Sequence, residues 1–278
     1  MDYYKGTIPI IDDAPDAAIT DLMHPKGANY GYDPDSVVRE PYEMKAPPSE
    51  MRVYEESEWD ALYDEQEATK SSLEHLYLSG PGGTPVFTNL DQNGHGYCWA
   101  YSTGHAIMLD RLKQGLPNIR LNPHSVAAII KGGRDQGGWC GLSAKFLRET
   151  GIAEEGNGPG QWPLHSRDLR YDTPACRAEM AKRLVTEDWV DLTKSVYDQN
   201  LTTRQIATCG FNNIPHPEDF NHWGHSVCGI RWVRIERGSW GTLILNSWLN
   251  WGRYGLGVLR GGKAICDGAV AFRVTKST

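Results

Sequence analysis

Hydrophobic and polar positions along the chain fall into three regimes. Over residues 1–56 no period survives. Stretches such as IPIIDDAPDAA, MHPKGANYGYDPDS and REPYEMKAPPSE are broken by seven prolines within the first 48 residues, and each proline fixes φ and removes a backbone donor. From 57 to 78, Trp59, Leu62, Tyr63, Leu73, Leu76 and Tyr77 recur at helical spacing. Ser57 is placed to cap that helix, with Glu58 and Asp60 in its first turn, where the helix dipole favours acids. The run SGPGGTP at 79–85 ends it and marks the sharpest boundary in the chain. Beyond it, CWAYSTGHAIMLDRLKQ reads as a second helix opening at Cys98 and closed by Gly115 and Pro117. Further helices are expected over 123–131 and 142–150. The last third changes character: HSVCGIRWVRIE, GTLILNSW, GLGVLR and GAVAFRV read as short strands between glycine-rich turns.

Helices first and strands afterwards predict an α+β protein with two lobes. The expected division is an N-terminal arm over 1–80, carrying the 57–78 helix, and a domain over 81–278. Within that domain a helical lobe spans about 90–185 and a β lobe about 186–278. A chain of 278 residues is long enough for this.

Charge sharpens the division. Residues 1–80 hold 18 acids and 6 bases, whereas the remainder holds 17 acids and 22 bases. An arm of net −12 thus precedes a body of net +5. Six tyrosines in residues 1–56, at 3, 4, 30, 32, 42 and 54, exceed what a merely solvating tail needs. The segment is expected to lie on something, either its own body or a protein partner. No dense basic stripe suggests nucleic acid, and no apolar run reaches the roughly 20 residues of a membrane span. The opening MDYYKGTIPIIDD has neither the basic start nor the apolar core of an export signal. The expectation is a cytoplasmic protein or a component of a larger particle.

Six cysteines with no CxxC pair argue against a disulfide scaffold and against thiolate zinc. His222 and His225 form an HxxH without a third ligand, so neither metal nor cofactor is expected. Cys98 is a different matter. At the start of a helix, free N–H groups and the dipole stabilise a thiolate. Gly94 and Gly96 permit a tight turn just before it, and Gln92 can bring a side-chain amide beside a backbone N–H, the equipment of an oxyanion hole. Downstream, His225 leads directly into a strand and Asn246 closes another, with Trp248 two residues on. A nucleophilic cysteine needs an imidazole to take its proton and a third group to orient that imidazole.

These pieces resemble the papain-like cysteine peptidases. The resemblance rests on QNGHGYCWAYS (92–102), GGWCGLSAKFLRETGI (137–152), WGHSV (223–227) and NSWLNWGRYGLGVLRGG (246–262), and covers about 83–275. His225 and Asn246 follow Cys98 by 127 and 148 residues, close to the roughly 130–150 of that family. It implies a papain-like two-lobe fold, helical and β-barrel-like, and a cysteine endopeptidase acting on a polypeptide through an acyl-enzyme. Cys98 would be the nucleophile, a thiolate paired with protonated His225, with Asn246 orienting the imidazole. Gln92 and the Cys98 N–H would form the oxyanion hole, and Trp248 would shield the His–Asn hydrogen bond. Gly137 and Gly138 would pair with the substrate backbone. Trp139, Cys140 and Ala271 would line a pocket for a bulky apolar side chain.

The sequence also departs from the family. His95 and Asp135 stand where one of its disulfides would be, and Cys266 faces a partner position near Asp219, with Cys209 as an alternative. The segment before Gln92 lacks the interspersed helical motif of the usual pro-segment. The arm therefore reads either as an inhibitor that folds over the cleft, released by cleavage near 79–85, or as a docking segment for an assembly such as a virion. Two other functions stay open beside the endopeptidase: a catalytically silent binding component, and a cell-wall peptide amidase.

Overall fold

The computed structural model describes residues 8–13, 17–26, 28, 30–36, 52–164, 171–183, 185–193 and 198–274. Tyr3, Tyr4 and Tyr42 of the tyrosine-rich arm lie outside them. In chain order, strand β1 (Ile10–Ile11) and helix α1 (Ala17–Met23) come from the arm, followed by α2 (Glu56–Thr69) and α3 (Leu73–Tyr77). The helical lobe holds α4 (Cys98–Lys113), β2 (Leu121–Asn122), α5 (His124–Ile130), α6 (Cys140–Glu149), β3 (Ala153–Glu155), β4 (Gln161–Trp162) and α7 (Pro174–Met180). The β lobe holds β5 (Val185–Asp191), α8 (Gln199–Phe211), β6 (His216–Phe220), β7 (His225–Glu236), β8 (Ser239–Leu245), β9 (Leu256–Arg260) and β10 (Gly268–Val274). This is the expected α+β, two-lobe order.

The large sheet runs β1-β9-β8-β7-β6-β10-β5; β1 joins β9 in parallel, and the other neighbours are antiparallel. Helix α4 lies against β7, and every residue from Cys98 to Arg111 is buried. A helix covered all round has no polar face, which is why CWAYSTGHAIML carries no clean amphipathic stripe. The lobes are also tied at α6: Asp219 on β6 accepts the backbone N–H of Cys140 at 3.0 Å, satisfying one of the free donors at that helix start.

The single helix expected over 57–78 is two. Lys70 adopts a left-handed conformation (φ 53°) that closes α2, and Ser72 caps α3 by accepting from the backbone N–H of His75. The start differs as well: Glu55 is the N-cap, two residues before Ser57, and forms a reciprocal capping box with Glu58. Both helices pack into the β lobe. Trp59 meets Trp232 and Trp240 edge-on at 5.4 and 5.6 Å between ring centroids. The Gln66 amide donates to the carbonyls of Gly210 and Phe211, and the Tyr77 hydroxyl to that of Tyr254.

Arg231 on β7 is fully buried beneath them. It is held by Glu74 at 2.7 Å, by Glu67 at 2.8 Å and by Gln66 at 3.1 Å, with its guanidinium 4.7 Å from the Tyr63 ring. Removing Glu74 takes away the fully buried carboxylate and leaves the guanidinium with the partly exposed Glu67. Glu74→Ala is expected to lower the unfolding free energy by about 3–5 kcal/mol, measured by urea denaturation. The Glu74→Leu/Arg231→Met pair should recover most of that loss.

Candidate active site

Three elements converge at the seam between the lobes. Residue Cys98 opens α4, His225 opens β7, and Asn246 follows the last residue of β8. Because Cys228 on β7 pairs with Leu245 on β8, the start of one strand lies beside the end of the other. The imidazole Nε2 of His225 meets the Asn246 side-chain oxygen at 2.8 Å, and all three side chains are buried. That oxygen also accepts the Ser247 N–H at 2.7 Å, which fixes the amide. The opposite ring nitrogen, Nδ1, has no hydrogen-bond partner among the described residues. The indole of Trp248 stacks on the imidazole at 4.2 Å and 23°, and Trp223 covers another side at 4.9 Å.

Gln92 is fixed at both ends of its amide. Its oxygen accepts from Ser247 Oγ at 2.7 Å and its nitrogen donates to the His95 carbonyl at 2.6 Å, while its backbone N–H binds the Ser247 carbonyl. His95 and Asp135, singled out where a disulfide would stand in the resembled family, meet as a hydrogen-bonded pair at 3.4 Å. All six cysteines are free thiols. Trp139 and Cys140 are buried at the start of α6, Trp139 against Trp189, and Ala271 is buried on β10 opposite Val190.

The seam is not open. Arm residues 30–33 run through it. Gly138 donates to the Gly31 carbonyl at 2.7 Å and accepts from the Asp33 N–H at 2.9 Å, so Tyr32 pairs with Gly138 as a parallel bridge. Tyr32 N–H donates to the carbonyl of Gly224, the residue before His225, at 3.1 Å. The Tyr30 ring stands edge-on to His225 and Trp248 at 6.4 and 5.9 Å. A Cβ on Gly31 would fall far inside contact with the Gly96 carbonyl, and one on Gly137 would lie 2.8 Å from the Gly31 carbonyl. Only a glycine lets the arm descend this far. Upstream, the carbonyls of Leu22 and Met23 accept the indole N–H groups of Trp251 and Trp223, both at 2.7 Å. Arg260 binds Asp12 at 2.9 Å.

Burial at this seam bears on the charge of both groups. Burial pushes the Cys98 thiol up to about 12, against the opposing pull of Ser226 and the Gly31 backbone, which face the sulfur. Burial likewise drives the His225 imidazole down to about 3, although its bond to Asn246 favours the proton. With water excluded, burial favours the neutral thiol and the neutral imidazole.

Several participants were not singled out in the sequence. Ser226, beside the sulfur, donates to Asp219, and Ser247 holds the Gln92 oxygen. Each sits one residue from a position that was identified, so adjacency was the available signal.

No family model and no curated sequence matches this chain. Solved structures do match. Xylellain, a cysteine protease from Xylella fastidiosa, aligns over 90% of this chain and 98% of its own, at 17% identity and a TM-score of 0.58. Procathepsin B S9 from Trypanosoma congolense aligns over 92% and 89%, at 13% identity and a TM-score of 0.53. Digestive procathepsin L 3 from the Tenebrio molitor larval midgut aligns over 68% of this chain at 16% identity and a TM-score of 0.51. This chain spans just under two thirds of that protein, 66%. At these identities the likeness is one of fold, and it agrees with the motif order read from the sequence: the chain has the papain-like fold.

Proposed function

We propose that this chain is a cysteine endopeptidase held latent by its own residues 30–33. The observation that carries the reading is the Nε2–Oδ1 hydrogen bond between His225 and Asn246, which leaves Nδ1 as the one ring nitrogen able to take a thiol proton. In the working form, Cys98 passes its proton to His225 Nδ1 and its sulfur attacks the substrate carbonyl carbon. Negative charge develops on the carbonyl oxygen, where the Cys98 N–H and the Gln92 amide stabilise it. The C–N bond breaks, and the leaving amine takes the proton from His225. Water then adds to the thioester, His225 again accepting a proton, and the acid product leaves Cys98 as a thiol. Trp248 keeps solvent from the His–Asn bond, and the Gly138 backbone offers a strand edge to the substrate. Trp139, Cys140 and Ala271 form the apolar wall of the site. The machinery is indifferent to what lies beyond the carbonyl, so an amide crosslink is a second substrate class that fits it.

The described arm residues lie on the chain's own body, which favours inhibition over docking to a partner. The inhibitory element is short. Helices α2 and α3 carry Trp59, Tyr63, Leu73 and Tyr77 into the core, so the segment to be displaced ends before residue 52 and not at 79–85.

The test uses the full chain and a thiol alkylator such as iodoacetamide, with sites read by peptide mapping. Gly31→Ala is expected to lift the arm off the sulfur and speed labelling of Cys98 by at least about tenfold, with peptide hydrolysis appearing alongside. His225→Ala in that background should lower hydrolysis by about 10²- to 10⁴-fold, the range of a lost general base. Labelling at other cysteines in preference to Cys98, with the fold intact, would sink the peptidase reading. Hydrolysis by wild type equal to that of Gly31→Ala would sink the latency.

The pH dependence follows from the cover. The His225 imidazole sits below its exposed value of about 6.5. Its neutral form therefore stabilises the covered state fully above pH ~6.5, and that contribution is lost as pH falls toward about 3. Opening of residues 30–33 should rise between pH 7 and 4.5, by at most about 100-fold, the value for full return of the imidazole to about 6.5, read by amide hydrogen exchange. The half-buried imidazole of His75, lowered to about 4, and the buried one of His105, lowered to about 3, weaken the whole fold in the same direction. Exchange of β7 amides reports that global effect and separates it from arm release. Equal acceleration in the arm and in β7 would count against selective opening.

A further inference from the structure

The loop 92–97 sets the orientation of the Gln92 amide, and it is a poor candidate for rigidity on its own. Asn93 and Gly94 are both left-handed, with φ 47° and 74°, and Gly96 follows two residues later. Such a stretch has many accessible conformations and needs external ties. One tie comes from the loop between α5 and α6. Asp135 accepts the Gly96 backbone N–H at 2.8 Å through Oδ1, and its Oδ2 stands 3.4 Å from His95 Nδ1. A carboxylate acceptor makes this a charge-assisted bond.

The atoms at the two ends of that tie belong to one peptide unit. The Gly96 N–H held by Asp135 and the His95 C=O that receives the Gln92 amide at 2.6 Å are the two poles of the His95–Gly96 peptide. A trans peptide is planar, with its N–H and C=O pointing in opposite directions. Fixing the N–H therefore fixes the direction of the carbonyl, and the carbonyl fixes the nitrogen end of the Gln92 side chain. Ser247 fixes the oxygen end. Asp135 lies two residues before Gly137, so the same side chain links the turn before the nucleophile to the strand edge proposed for substrate.

We propose that Asp135 is a positioning residue for the oxyanion hole: through the His95–Gly96 peptide it aims the Gln92 amide at the oxygen that becomes charged. The inference rests on the peptidase reading above. Asp135 touches neither substrate nor Cys98. Its action falls on the acyl-transfer transition state, where an oxyanion exists, and not on alkylation of the thiol, where none does.

The experiment compares wild type, Asp135→Ala and Asp135→Asn as full chains, each also carrying Gly31→Ala for turnover. In ¹⁵N-resolved spectra of the full chain, Asp135→Ala should deprotect the Gly96 amide and shift the Gln92 side-chain NH₂ pair. Asp135→Asn, which keeps an acceptor oxygen, should restore both. In the Gly31→Ala background, Asp135→Ala should lower kcat for a peptide amide by about 10- to 100-fold, below the loss of an oxyanion donor outright. KM should change less than about threefold and the Cys98 alkylation rate less than about twofold, and Asp135→Asn should bring kcat most of the way back. Unchanged Gln92 signals, an unchanged kcat, or a fall in alkylation parallel to that in kcat would each overturn the proposal, the last by making Asp135 merely structural. Absence of both hydrolysis and Cys98 labelling in the Asp135-containing chains would overturn the peptidase reading and this proposal with it. Normal hydrolysis in Asp135→Ala would overturn this one alone.

Discussion

The antiparallel pairing of β7 with β8, laid across the buried helix α4, is the constraint on which the rest of this molecule depends. It sets the first residue of one strand beside the residue that follows the other, and so brings His225 and Asn246 to 2.8 Å although 21 positions separate them. Strand ends are poor places to hold a side chain unless something covers them. Here Trp248 and Trp223 close over the imidazole, excluding water that would compete for the bond. The helix supplies the sulfur from the other lobe, at the end where its own backbone donors are unsatisfied.

Exclusion of water has a second consequence. The aromatic enclosure is completed by Tyr30 from the arm, and the Gly31 backbone rests on the sulfur. In that setting neither member of the Cys98–His225 pair gains from ionising. Cover and ionisation are thus linked through solvation. The arm's hold is distributed: a two-residue strand added to β9, carbonyls that accept two buried indoles, an ion pair at Arg260 and the backbone bridge at Gly138. Each contact is modest, and their sum keeps the described residues between 8 and 36 on the body.

The N-terminal 80 residues, one unit by charge, divide physically in two. Asp12 meets Arg260 at the rim, and Asp60 and Asp64 meet Arg234 in the same partly exposed way. Glu74 and Arg231, by contrast, are sealed inside. Surface pairs contribute little and are screened by salt, whereas a buried pair commits both elements to staying together. The net charge of −12 averages over these cases and hides the difference.

Local order was legible in the sequence because it follows from backbone chemistry. Prolines broke the arm, the Gly/Pro run at 79–85 ended a helical pattern, and glycines before Cys98 announced a turn into a helix. The spacing of Cys98, His225 and Asn246 carried the papain-like resemblance, and the fold agrees with it. What the sequence missed was decided by contacts across long separations. Lys70 splits 57–78 into two helices as the second turns toward Asn213, whose side chain takes the Leu73 N–H. Asp135 and Gly96 lie 39 residues apart and meet only because two loops share the seam. Gly31 reads as one glycine among 30 until the fold lays it on a sulfur. The chain alone determined the order and spacing of Cys98, His225 and Asn246; burial, a property of the folded whole, decided what surrounds each of them and whether anything can reach them.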